Sequence, residues 1–187
     1  MPDEDISPAK RPATILAGPY GHPFHPIAVT IPIGAWIASL VFDIIGLVST
    51  DPEPFAIGSR VLIVIGVLGS IAAIFFGVLD YLRIPDRTQA ASTATFHMGL
   101  NITVCGAYAV QLFFRSTTDE IPVGTFVVSI LSLLVLSISG WLGGKLSYRY
   151  GVRVASEVKQ AEGFRGGVRR GAVISCDWRV DPRGRKL

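Results

Sequence analysis

Only three histidines, two cysteines and a thin scatter of charge occur in this 187-residue chain. Each scarcity removes a class of function. Cys105 lies in an apolar run and Cys176 far away in a basic stretch, so neither a disulfide framework nor a thiolate zinc or iron–sulfur site can be built from them. There is no C-x-x-C-H haem-attachment sequence, no G-x-S-x-G elbow, no Walker loop and no H-E-x-x-H pair, which removes the common soluble hydrolase, nucleotidase and metalloprotease chemistries. Charged residues make up 17% against 50% apolar, and the mean hydropathy is +0.49, too oily for an ordinary soluble domain.

What is abundant is long apolar sequence. A membrane helix needs ~20 mostly apolar residues. Four stretches approach or reach that length: 27–48, interrupted only by Asp43; 61–79, with no charge before Asp80; 97–114, bounded by Arg115; and 121–144, ending at Lys145. They predict an all-α integral membrane protein, an up-down-up-down four-transmembrane-helix bundle with helices at about 26–49, 60–82, 96–115 and 121–146. A flexible arm over 1–21 precedes this domain of residues 22–154, and a basic tail over 155–187 follows it. Acidic Asp3, Glu4 and Asp5 ahead of the first span, and "STDPEPF" behind it, argue for a retained helix rather than a cleaved signal. Gly66, Gly69, Ser70, Ala73 and Gly77 in the second span, and Ser132, Ser139, Gly140, Gly143 and Gly144 in the fourth, predict close helix packing.

Fifteen of the seventeen basic residues fall in the arm, the second connection and the tail. If the helices alternate, these three segments share one side, and the positive-inside rule makes it the cytoplasm. Both termini are then cytoplasmic. "RGGVRRG" at 165–171 reads as part of this orienting charge, so no nucleic acid partner is expected.

Ionisable groups within a membrane are costly, so each asks for a reason. On this topology His22, His25, Asp80 and His97 gather at the cytoplasmic end, with Asn101 one turn beyond His97. His25 and His97 are candidate axial ligands of a b-type haem, assisted by Asn101; His22, His25, Asp80 and His97 are a candidate metal set. The first turn of a helix is a shallow place for a haem. Asp80 at a helix C-terminus needs a cation, for which Arg83, His25 or His97 is available. Asp43 lies five turns beyond His25 at the opposite end, where Arg60 or Arg115 can meet it. Pro32 is expected to kink the first span, and Pro26 after His25 suits a first helical position.

The string "HPFHPIAVTIPIGAWIASLVFDII", followed in order by "DYL" at Asp80-Tyr81-Leu82, "HMGLN" at His97 to Asn101 and "GWLGGKLSYRYGVRV", resembles a bacterial membrane family known as domain of unknown function 2231 over about residues 22–154. That resemblance implies four transmembrane helices in a bacterial inner (plasma) membrane. Some members look fused to Rieske-type or cytochrome-like modules, which implies electron transfer by association only. The expected role is a non-catalytic membrane or accessory subunit, associated with a respiratory or other membrane complex or with its own copies. The alternatives are a redox protein holding haem or metal through His25 and His97, and a small proton or ion pathway.

The topology has a direct check. In a background lacking Cys105 and Cys176, single cysteines placed at positions 22 and 85 should react only from the cytoplasmic side, and one at position 51 only from the outside. Labelling of 22 and 85 from opposite sides would overturn the alternation.

Overall fold

The computed structural model describes residues 8–115 and 120–164. Its described residues are helical or irregular, with no strand. Helix α1 (His25–Ala28) runs almost straight into α2 (Thr30–Val48); α3 (Glu53–Tyr81), α4 (Gln89–Arg115) and α5 (Val123–Gly144) follow. A π-helical turn, Lys145–Arg149, prolongs α5, and the short α6 (Glu157–Ala161) comes last. The chain divides into two units, 1–156 and 157–187. The second contains, among its described residues, α6, a 3-10 turn Glu162–Phe164 and an exposed Lys159–Glu162 ion pair at 3.0 Å. The basic sequence at 165–171, Cys176 and the rest of the tail lie outside the described residues.

In the first unit α2 packs on α3 and α5, and α4 packs on α3 and α5, which leaves α2 and α4 diagonally opposed. The solvent-facing logic of a soluble protein is reversed. Ser39, Asp43, Ser59, Gln111, Arg115, Ser129 and Ser139 are buried, while Ile44, Leu68, Ile71, Phe75, Phe113, Leu134 and Trp141 point outward. An apolar exterior around a core of small and polar residues is what lipid, not water, solvates. The chain is a membrane protein with transmembrane helices. Among the described residues, three segments are long and apolar enough to cross a membrane: His25–Val48, Glu53–Tyr81 and Val123–Arg149. Helix α4 is less apolar than expected of a fourth span. Its polarity has two sources, inward His97, Asn101, Gln111 and Arg115, and outward Ser92, Thr95 and Thr103.

The boundaries depart from expectation in instructive ways. Helix α3 starts at Glu53, between the capping Pro52 and Pro54 in its first turn, well before the apolar run. Helix α4 starts at Gln89, after Thr88 accepts a hydrogen bond from the Ala91 amide. His97 is therefore more than two turns inside its helix rather than at its first turn. The hitch in the first span falls at Val29, not at Pro32, because Pro32 has no N–H to offer the Ala28 carbonyl one turn back. Nor is the arm free from residue 8 onward. Ala9 packs with Ile84, Ala91, Ala94, Leu146 and Val152, and the Arg153 amide donates to the Ala9 carbonyl at 2.9 Å.

The interior follows a repeat. His25, Trp36 and Asp43 face inward from α1–α2; His97, Tyr108 and Arg115 do so from α4 with the same spacing, each 72 positions later. Buried Pro32 and Ser39 match buried Val104 and Gln111 in that register. On the second helices, Ser59, Ile63, Gly66 and Ala73 of α3 correspond to Thr125, Ser129, Ser132 and Ser139 of α5 at a common offset of 66. Even the two non-glycine residues with positive φ among the described residues, Arg87 (59°) and Arg153 (60°), obey it. The unit is two similar α-hairpins of the same direction, and the repeat is not inverted.

Glycines set how closely the hairpins approach. A Cβ on Gly66 would run into the indole of Trp36, whereas one on Gly140 meets nothing within 4 Å. Gly66→Ala should therefore cost about 1–3 kcal/mol by overpacking and lower Tm in detergent, while Gly140→Ala leaves it unchanged. Equal Tm for both would contradict this packing.

Candidate functional site

The diagonal helices α2 and α4 meet through three side-chain pairs, each joining equivalent positions of the two hairpins. In the middle Trp36 and Tyr108 stack face to face, ring centres 4.3 Å apart and planes 7° from parallel. Both are fully buried, with Ile63 and Val104 around them. At one end Arg115 grips Asp43 with both forks of its guanidinium, Nη1 to Oδ1 at 2.7 Å and Nη2 to Oδ2 at 2.6 Å. Ser59 on α3 accepts from Arg115 Nη1 at 3.2 Å, Gln111 accepts from Nη2 at 3.4 Å, and Ser129 on α5 donates to Gln111 at 2.9 Å. All four long helices thus contribute to one buried polar network. Arg60, the other cation considered for Asp43, donates instead to the Arg115 carbonyl at 3.1 Å.

At the other end lie His25 and His97, ring centres 6.2 Å apart and planes at 84°. The two imidazoles are held in matching ways. His25 Nδ1 sits 2.8 Å from the Ala73 carbonyl of α3; His97 Nδ1 sits 2.8 Å from the Ser139 carbonyl of α5. One turn after each carbonyl comes a glycine that leaves room for the ring: a Cβ on Gly77 would stand 3.0 Å from the His25 ring, and one on Gly143 3.2 Å from that of His97. A carbonyl accepts only, so each Nδ1 carries the proton and each Nε2 is left with its lone pair. This is how metal-binding histidines are commonly oriented.

Asn101 joins the cluster. Its Nδ2 donates to the His97 carbonyl at 2.8 Å and to Ser139 Oγ at 2.6 Å, and lies 3.2 Å from His97 Nε2. His22 is exposed and outside the helix. Asp80 is committed elsewhere: its Oδ1 pairs with Arg153 Nε at 2.7 Å, and Arg153 Nη2 donates to the Ala17 and Gly18 carbonyls at 2.8 and 3.1 Å. The partner of Asp80 is therefore neither Arg83 nor a histidine. Arg83 leaves with the chain after α3 ends at Tyr81, and Arg153 enters from a segment more than seventy positions away. Among the described residues no three His, Cys, Asp or Glu side chains come together, so the four-residue metal set of His22, His25, Asp80 and His97 is not assembled. The pair His25 and His97, with Asn101, is.

Sequence reasoning missed Ser139, Gly77 and Gly143 as the support of the imidazoles, and Arg153 as the clamp on Asp80. A signal for the column existed: histidine, aromatic and charged residue recur at one spacing in both hairpins. A family model described as "Predicted membrane protein (DUF2231)" matches residues 21–156. No curated protein and no solved structure matches the chain.

The Asp43–Arg115 contact carries a sharp expectation. Removing one member leaves an unpaired buried charge, so Arg115→Met should cost about 3–5 kcal/mol, while the apolar double change Asp43→Leu with Arg115→Met should cost clearly less. Unfolding free energies in mixed micelles read the difference. Additive losses would mean that the pair is not coupled.

Proposed function

Because the chain belongs to the DUF2231 family of predicted membrane proteins, matched over residues 21–156, we propose that it is a four-span inner-membrane protein whose core holds a two-histidine axial ligand site. The observation that carries this reading is the 6.2 Å separation of His25 and His97, each imidazole bonded through Nδ1 to a backbone carbonyl. Two metal–nitrogen bonds of ~2 Å each, added to the reach of the two rings, give about that span. A b-type haem is the group that such a pair would suit, because two histidines would hold it with no third protein ligand. His25 and His97 would hold it and it would supply one-electron chemistry there, while Asn101 and Ser139 fix the orientation of His97. The depth of His97 within α4, beneath the segments around Asp80 and Arg153, supports the reading against the objection that the site is shallow.

A second reading is favoured by the same hydrogen bonds. Each histidine already ties one helix to its neighbour, so the pair also suits a non-catalytic accessory subunit of a membrane complex or a homo-oligomer, with both termini cytoplasmic. The proton-pathway alternative is weakened by the bidentate engagement of Asp43 with Arg115, which commits both oxygens of that carboxylate to one buried partner.

Absorption of the detergent-purified protein, oxidised and then reduced with dithionite, separates the two readings. The redox reading expects a Soret band that shifts on reduction and disappears in the His25→Gln, His97→Gln double variant. A colourless, metal-free and stably folded preparation would leave the accessory-subunit reading.

A further inference from the structure

The end of the unit that carries Asp80 is closed by three segments: residues 8–24, the α3–α4 connection, and the chain after the π-helical turn. Arg153 organises them. Its guanidinium takes up Asp80 and two carbonyls, and its backbone, at φ 60°, holds the arm through Ala9. This uses the one carboxylate buried at that end among the described residues. Beside it opens a pocket of about 420 Å³ lined by Arg11, Pro12, Tyr20 and Arg83.

The chemistry of that pocket is one-sided. It holds two guanidinium groups and no carboxylate, and neither Arg11 nor Arg83 has an ion-pair partner among the described residues. The Arg83 Nε is buried with no hydrogen-bond acceptor among the described residues, although a buried charged donor normally finds one. Tyr20 can supply a third donor. Its oxygen already accepts from the Ser156 amide at 2.8 Å, which leaves its own O–H to point elsewhere. The acidity of that hydroxyl is raised, first by the Ser156 hydrogen bonds and then by the charges of Lys10 and Arg11, a sign of the positive field at this spot. Asp86, the acidic residue on the adjoining connection, is exposed and not part of the lining.

We propose that Arg11, Arg83 and Tyr20 form a binding site for a phosphate group. Guanidinium forks match the spacing of phosphate oxygens, and two of them with a hydroxyl donor suit a tetrahedral anion better than a planar carboxylate. The group can belong to an anionic lipid headgroup or to a free phosphate-bearing solute; the site recognises what the two share. This site is separate from His25 and His97 and does not rest on the haem reading.

The test uses the full-length protein in two arms. In nanodiscs of neutral phosphatidylcholine, inorganic phosphate is titrated by calorimetry. In nanodiscs containing phosphatidylglycerol, the anionic lipid retained on release is counted by native mass spectrometry. Binding in the first arm identifies a soluble phosphate, retention confined to the second a headgroup, and either supports the site. Arg11→Gln with Arg83→Gln should lower affinity or retention about tenfold, the loss expected for charge-assisted hydrogen bonds. Tyr20→Phe should lower it a few-fold, and Arg87→Gln, outside the lining, should change it less than about twofold. If the double variant proves unfolded, Tyr20→Phe decides alone. Absence of binding in both arms, no effect of Tyr20→Phe, or an Arg87→Gln loss as large as that of the double variant would overturn the proposal.

Discussion

Asp43 and Arg115 are opposite charges in a core that excludes water, and neither can be there without the other. A lone charge at the centre of a membrane helix costs ~3 kcal/mol on insertion scales. Here the cost is offset because both forks of Arg115 engage both oxygens of Asp43, and because Ser59 and Gln111, the latter braced by Ser129, accept further N–H donors of Arg115. Since these groups come from α2, α3, α4 and α5, satisfying the network fixes the rotation of every long helix about its own axis. Apolar packing in lipid would not do this alone, because an outward Ile and an inward Ile differ little when the solvent is itself hydrocarbon.

With that register set, the pairing of equivalent residues follows. Two similar hairpins that run the same way and pack about an approximate two-fold axis bring each residue near the axis against its own counterpart. Trp36 meets Tyr108, His25 meets His97 and Asp43 meets Arg115 for this single reason. Two aromatics or two neutral imidazoles tolerate such self-pairing; two like charges do not. The repeat therefore has to break its sequence symmetry at the charged level, and it does so with aspartate in one hairpin and arginine in the other. It breaks again where Asp80 corresponds to Leu146: Arg153 has a buried carboxylate to grip, whereas its counterpart Arg87 has only a leucine at the equivalent place and is exposed.

The sequence made the helical class, the membrane setting and the inward residues of the first hairpin readable, because length and hydropathy are local properties of a chain. It blurred the helix starts. Glu53 and Gln89 lie in polar sequence that hydropathy assigns to connections, while the backbone follows proline and threonine initiation signals instead. It gave α4 more apolar character than the helix has, since residues such as Gln111 and Thr103 are set among aliphatic ones. The cluster of histidines at one end was legible from alternation alone, and the contact between Asp43 and Arg115 was among the options. Arg153 was not legible as a partner of Asp80, because nothing local reports that residues 8–24 and 145–156 fold back over the same helix ends.

One level of the axis differs from the others in what it leaves unspent. The Asp43–Arg115 pair satisfies its charges mutually, and the Trp36–Tyr108 stack uses its apolar faces mutually. His25 and His97 do neither. Each turns its Nδ1 away from its counterpart, to Ala73 on α3 or Ser139 on α5, so the bond that fixes each ring is made outside the pair. A pair serving only to join α2 to α4 would gain most from bonding across the axis, as the other two levels do. Rings held from behind through Nδ1, over glycines that admit them, are the arrangement on which the proposed ligand role rests. Asn101, 3.2 Å from the Nε2 of His97 alone, makes the two imidazoles inequivalent.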